Sequence, residues 1–454
     1  MLNNLIKQFI FILSFLISFS FNNILFAEFK KESSVVIPIK ELDSNSIKKL
    51  VQEANQAYKI GSYQKAISIY KKIISFEESS LGQYHKNTAN SINALGIIYY
   101  DQSSFEKAKE LFKKSLNIRK KIFGETHLDT ANSMHSLALV YYQEGLYDKT
   151  ILLLQKALKI KQNIFDPKEI EIGTSLEVLG TVYISNGKYE IAEEYLLNAL
   201  DIYNLNLKSN DSKIINILNN LASLADAKGL YKKAKLLHQE VLEKRILKFG
   251  FEHRDVAQSL NNIGAIYAKF GQINKAELNY KKAIEISENL KNISNIDKAT
   301  FLNNLASLYS DMGLYEKAEP LYLKSIQLRK SIYGDNHDSV ALALNNLARN
   351  FENQDFDEKA ESLYNESFLI SEKVLGPDHP LTLSIKSNLA ALYLKKGSFD
   401  IAKNLNLKVL KSREKVLGFN HLDVATSLSN LGNIYYRKGL FSEAEPFYLK
   451  ALEI

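Results

Sequence analysis

The sequence predicts an all-α chain, an α-solenoid of about ten stacked antiparallel helix pairs. Three observations carry that expectation. A 42-residue period runs without a slip from residue 47 to residue 454, and apolar residues within it recur at three- and four-residue spacing. Strand-like alternation is sustained nowhere, and six prolines with 19 glycines leave little room for long loops. The composition excludes several classes of function before any motif is read. There is no cysteine, so disulfides, thiolate metal sites, iron–sulfur clusters and a cysteine nucleophile are all ruled out. A net charge of +7 from 58 basic and 51 acidic residues is modest for this length. A mixed-sign surface accounts for it, and it makes no case for nucleic acid.

Residues 1–27 read as a secretory signal peptide. Lys7 is followed by thirteen residues, Phe9 to Phe21, that are apolar apart from three serines, and the stretch ends at the small residue Ala27. An uncleaved anchor running to Phe26 is the competing reading. Asn22 and Asn23 interrupt it short of the ~20 apolar residues that a span needs. The protein is therefore expected to be exported, periplasmic or secreted, and membrane-anchored only if the signal is retained. No later segment is apolar enough to cross a bilayer. Residues 28–46 read as a tether, and 47–454 as ten units, the last incomplete.

Stepping by 42 from Gly313 gives Gly61, Ser103, Gly145, Gly187, Gly229, Gly271, Gly313, Asp355, Gly397 and Gly439. Five residues on, alanine stands nine times in ten, with Thr150 the exception. Seven residues before it the residue is always small (Gly96, Gly264 and Ala306 among them), and four before it an aromatic appears eight times, as at Tyr99, Tyr309 and Tyr435. In the seventh unit Phe301, Leu302, Leu305, Ala306, Leu308 and Tyr309 mark one face of a helix that Met312-Gly313 closes. A second helix is expected over about Tyr315 to Ile332, with Pro320 and Pro446 near helix starts, where a missing N–H costs least. One helix pair buries too little apolar surface to offset its ordering entropy, so neighbouring units must supply the contact. The first unit, with Glu53 and Ala57 where others are apolar or aromatic, suits an end without a preceding neighbour.

These positions resemble the tetratricopeptide repeat. The longer period, with Leu342-Ala343-Leu344-Asn345-Asn346-Leu347-Ala348 and Val374-Leu375-Gly376-Pro377-Asp378-His379-Pro380, is similar to its kinesin-light-chain-like version. The resemblance covers roughly residues 47–454. It implies a right-handed superhelix, first helices on the concave side, and binding of extended peptides or protein surfaces. It does not imply a kinesin partner. Unit ten stops inside its second helix with no capping helix. From this we expect either further chain, a covering partner, or end-to-end association through that terminus.

Little catalytic chemistry is visible. Six of the eight histidines, His85, His127, His253, His337, His379 and His421, stand three residues after a glycine in the loops between units. Successive units place such residues ~8–10 Å apart, so they read as residues that close one helix and start the next, not as ligands converging on a metal. His135 and His238 read as surface or packing residues. The pairs Lys71-Lys72, Lys232-Lys233 and Lys281-Lys282 read as solvated faces of second helices. No nucleophile elbow, zinc-binding helix motif or phosphate-cradling loop is present. No enzymatic activity and no cofactor are expected.

Asparagines are the feature that points to function. The doublets Asn219-Asn220, Asn261-Asn262, Asn303-Asn304 and Asn345-Asn346 occupy four successive units, and Asn388 and Asn430 continue the second column. A carboxamide can pair with both N–H and C=O of an extended chain without reading its sequence. The resemblance carries that role to Asn220, Asn262, Asn304, Asn346, Asn388 and Asn430. The alternative is hydrogen bonding between units that fixes their contacts. Specificity would come from Asp226, Lys269, Asp311, Arg349, Glu352, Lys395, Tyr436 and Arg437. The expected function is a non-enzymatic scaffold that binds a peptide or protein partner in the groove. A second reading makes it the sensing or docking arm of a larger protein with a C-terminal effector, such as a caspase-like peptidase.

Overall fold

The computed structural model describes residues 45–60, 62–290 and 295–454. The signal, most of the tether and Gly61 lie outside the described residues. Twenty helices are found among them, as ten consecutive pairs. The pairs are α1 (Asn45–Lys59) with α2 (Tyr63–Ser80), α3 (Lys86–Asp101) with α4 (Phe105–Phe123), α5 (Leu128–Gln143) with α6 (Tyr147–Gln162), and α7 (Ile170–Ser185) with α8 (Tyr189–Asn206). Then follow α9 (Ser212–Ala227) with α10 (Tyr231–Phe249), α11 (Arg254–Lys269) with α12 (Ile273–Asn289), and α13 (Asn295–Asp311) with α14 (Tyr315–Tyr333). The last three are α15 (Asp338–Glu352) with α16 (Asp357–Leu375), α17 (Pro380–Lys395) with α18 (Phe399–Leu417), and α19 (Leu422–Arg437) with α20 (Phe441–Glu453). The described residues contain no strand.

The pairs form two compact bodies, the first holding residues 45–185 and 190–207, the second 186–189 and 208–454. The same rule of assembly governs each. A second helix packs against the first helix of its own pair and against the first helix of the next. First helices also touch one another, α3 with α5 in the first body and α11, α13, α15, α17 and α19 in series in the second. A single apolar cluster consequently runs through the second body from Ala265 to Leu392. None of the helices among the described residues is long and apolar enough to cross a membrane.

The periodic small residues explain how the two helices of a pair come so close. A Cβ added at Gly264 would lie 2.9 Å from the Tyr280 ring, one at Gly96 2.6 Å from Phe112, and one at Gly432 2.8 Å from Tyr448. The alanine column (Ala66, Ala108, Ala192, Ala234, Ala276, Ala318, Ala360 and Ala402) is wholly buried. Thr150, its exception, is also buried and turns its hydroxyl inward, donating to Leu146 O at 3.1 Å.

The glycine between paired helices takes a left-handed conformation, with φ of 74° at Gly313 and 71° at Gly145. The N–H of the residue after it reaches back five residues, as from Leu314 to Tyr309 O at 2.8 Å, closing the helix. Ser103 and Asp355 adopt the same positive φ, 55° and 61°, so the turn is kept even where glycine is absent. Between pairs, the loop histidines start the following helix as the sequence predicts. All six accept at Nδ1 from the backbone N–H two residues on, as His253 does from Asp255 at 3.1 Å. The rings of His127, His253 and His337 stack on Phe123, Phe249 and Tyr333, the last aromatic of the preceding helix. Pro320 corrects one expectation. Helices α14 and α20 begin at Tyr315 and Phe441, so Pro320 and likewise Pro446 lie more than a turn inside, where each removes one helical hydrogen bond.

At Gly313 an added Cβ would meet nothing within 4 Å, so Gly313→Ala tests the turn's backbone cost alone. We expect a loss of about 1–2 kcal/mol, read as a lower urea midpoint with unchanged helical signal.

Candidate interaction surface

The middle turns of the first helices in the second body carry the asparagine doublets, and the structure joins them into a ladder. From Asn262 to Asn388, each second-column asparagine donates its Nδ2 to the first asparagine of the preceding unit. The rungs are Asn262 to Asn219 Oδ1 at 3.2 Å, Asn304 to Asn261 at 2.9 Å, Asn346 to Asn303 at 3.1 Å, and Asn388 to Asn345 at 2.9 Å. Asn430 continues the series onto Ser387 Oγ at 3.1 Å. Asn219, Asn220, Asn261, Asn262, Asn303, Asn345 and Asn346 are buried, whereas Asn304, Asn388 and Asn430 keep an exposed edge. The first column is thus enclosed between helices, and the second column reaches the surface only at Asn304, Asn388 and Asn430. Each rung consumes one half of a carboxamide.

The charged residues beside the ladder are also tied between units. Lys269 and Asp226 form a buried ion pair at 2.6 Å, and burial still holds the Asp226 carboxyl above its ordinary value against the pull of Lys269. Arg349 Nη2 lies 3.3 Å from Ser307 Oγ and 4.0 Å from Asp311, whose carboxyl burial also raises. Glu352 accepts from Tyr364 Oη at 2.7 Å. Lys395 reaches Asp355, Asp357 and the Glu352 carbonyl at 2.6–2.8 Å. Tyr436 and Arg437, by contrast, are open to solvent. Among the described residues, no group of three or more histidine, aspartate and glutamate side chains could hold a metal ion. His135 and His238 are buried packing residues; His238 takes the place that Tyr280 and Tyr322 hold in the next units.

One inter-unit device escaped sequence reasoning. Arg119, Arg245, Arg329 and Arg413 sit at multiples of 42 residues, each eight residues before a capping histidine, and all are buried. Arg245 Nη1 donates to Asp255 O at 3.0 Å and Ser259 Oγ at 2.8 Å. Arg119 and Arg413 repeat both contacts with Asp129 and Ser133, and with Asp423 and Ser427. Arg329 instead reaches back, to Thr300 Oγ1 at 3.3 Å, and burial pulls its guanidinium down to about 10. Each guanidinium thus bonds first-helix groups, which an apolar residue there could not do. The shared period was the available signal, but lysine, tyrosine and serine fill the same register at Lys161, Tyr203, Ser287 and Ser371. In the first unit the position is Glu77, buried beside Ser91, and burial pushes its carboxyl up to about 7.

With this arrangement in view, the comparisons are direct. The tetratricopeptide repeat family model matches residues 47–121, 101–163, 171–246, 297–358, 351–415 and 382–454, and a second tetratricopeptide repeat model matches 257–290. The chain belongs to the tetratricopeptide repeat family, whose members are typically non-catalytic protein-interaction scaffolds. No curated protein matches the sequence significantly. Among solved structures it is similar to BtubC (BKLC) from P. vanneervenii at 22% identity, covering 49% of this chain and 90% of that one with a TM-score of 0.42. It is also similar to a putative kinesin light chain of Podosopora anserina with nearly identical repeats, at 22% identity, 46% and 99% coverage and a TM-score of 0.40. Aspartyl phosphate phosphatase F from Bacillus subtilis is similar at 16% identity, with 83% and 96% coverage and a TM-score of 0.49.

Two predictions follow from the ladder and the arginine register. A double-mutant cycle on Asn261→Ala and Asn304→Ala should return a coupling of about 0.5–1.5 kcal/mol, read from urea midpoints. For Glu77 the folded value, about 7, lies above the ordinary 4.5. Its contribution is therefore present below pH ~4.5 and lost as pH rises through ~7. Glu77→Gln should stabilise the protein by about 1–3 kcal/mol at pH 8 and make no difference at pH 4, by thermal melting at both values.

Proposed function

We propose that this protein is a non-enzymatic scaffold whose first-helix face in the second body binds an extended peptide or a partner's surface segment. The observation that carries this reading is the partly open edge of the ladder, where Asn304, Asn388 and Asn430 keep exposed edges in the seventh, ninth and tenth units. Each retains one carboxamide atom beyond its rung, enough for one hydrogen bond to a peptide backbone at each of these three positions. Repeated single bonds favour a chain laid along the helices over a compact ligand. Tyr436 and Arg437, exposed at the C-terminal end of the helix that carries Asn430, would add side-chain selectivity. We further infer export, on the strength of Lys7, Phe9–Phe21 and Ala27.

Affinity capture from an envelope extract, read by quantitative mass spectrometry, tests the site. Asn304→Ala with Asn388→Ala should cut recovery of the specific partner at least ~10-fold, given ~1 kcal/mol per lost bond. Wild-type recovery by a variant whose helical signal is unchanged would exclude these rungs from binding.

A further inference from the structure

The net charge of the chain is not spread along it. Residues 45–125 hold fourteen lysines and arginines against seven acidic residues, a net +7, while residues 126–454 balance to zero. The structure gathers this excess on the exposed stripes of α2 and α4. Lys71 and Lys72 face solvent on α2, and Lys113, Lys114 and Lys121 on α4. The two stripes adjoin: Lys114 Nζ lies 2.8 Å from Glu78, at the end of α2, and Lys121 Nζ lies 2.7 Å from Tyr84 Oη, in the loop that follows it. Among the described residues no carboxylate pairs with Lys71, Lys72 or Lys113. Phe76 and Tyr84 are 47% and 46% exposed on the same surface.

We propose that this α2–α4 face docks on an anionic lipid surface. The charge is carried by lysine, whose compact ammonium suits diffuse attraction to headgroup phosphates, while the arginine of α4, Arg119, is buried and committed elsewhere. Two half-exposed aromatics among lysines suit the boundary between headgroups and acyl chains. The face also belongs to the first two units, and only residues 22–44 separate the first of them from the most apolar run of the sequence, Phe9–Phe21. A single-stranded nucleic acid would call for a row of open aromatic platforms, and Lys121 lies over the Tyr84 ring at 4.2 Å.

Full-length protein should be sedimented with phosphatidylcholine vesicles, with and without ~30% phosphatidylglycerol, at low and high salt. We expect phosphatidylglycerol to strengthen binding, and salt to weaken that increment. Substituting Lys71, Lys72, Lys113 and Lys114 by glutamine should reduce the increment ~100-fold or more, at about fivefold per lysine. Substituting Lys232, Lys233, Lys281 and Lys282 by glutamine should leave it within about threefold. Comparing only the increment removes any contribution of residues 9–21 inserting into vesicles of either kind. The proposal is overturned by a wild-type increment of zero, by equal losses in the two folded variants, or by a thymidine 20-mer that binds the face more tightly than the vesicles do.

Discussion

In both bodies a second helix is fully buried only when the next pair arrives, because part of its contact belongs to the following first helix. That dependence on a neighbour shapes the other features of the chain. It requires small residues where paired helices meet, since a methyl group at Gly96 or Gly264 would enter an aromatic ring. It requires a repeating turn, and the left-handed position is retained at Ser103 and Asp355 despite the conformational cost. It also brings polar groups together across the seams, where they must bond to one another or lose their hydration without return.

Two polar systems meet that demand at different levels of the helices. The asparagine ladder joins the middle turns of successive first helices, and the buried arginines tie the last turn of a second helix to first helices beside it. Both place side chains of high hydrogen-bonding capacity in apolar surroundings, where a slip of one residue would leave several groups unsatisfied. Such pairs penalise a wrong register more strongly than they reward the right one. Asp226 with Lys269 acts in the same way beside the ladder. The exposed edges of Asn304, Asn388 and Asn430 are what this internal use leaves over for a ligand.

Much of the architecture was legible because one period of 42 residues carries helix spacing, turn residue and close approach together. The second helix of the seventh pair, expected over 315–332, spans Tyr315–Tyr333, and the loop histidines do start the helices that follow them. Pro320 was misjudged although the start at Tyr315 was placed correctly, because the sixth helical position already needs the N–H that proline lacks. The arginines were missed for a different reason. A basic residue on an amphipathic helix is usually solvated, and only the packing shows that Arg119, Arg245, Arg329 and Arg413 point inward. The asparagine columns were visible as columns, and bonding between units was one of the two roles open to them; which carboxamides pair is set by helix rotation, not by spacing.

The rungs of the ladder each join residues 43 positions apart, and the arginine bridges span 29 or fewer. Because these bonds are local in sequence, the entropy of closing the loops they span stays small and does not grow as the array lengthens. Assembly can therefore keep pace with delivery: a pair leaving a ribosome or a translocation channel finds its docking site already waiting, long before the remainder of the polypeptide has emerged.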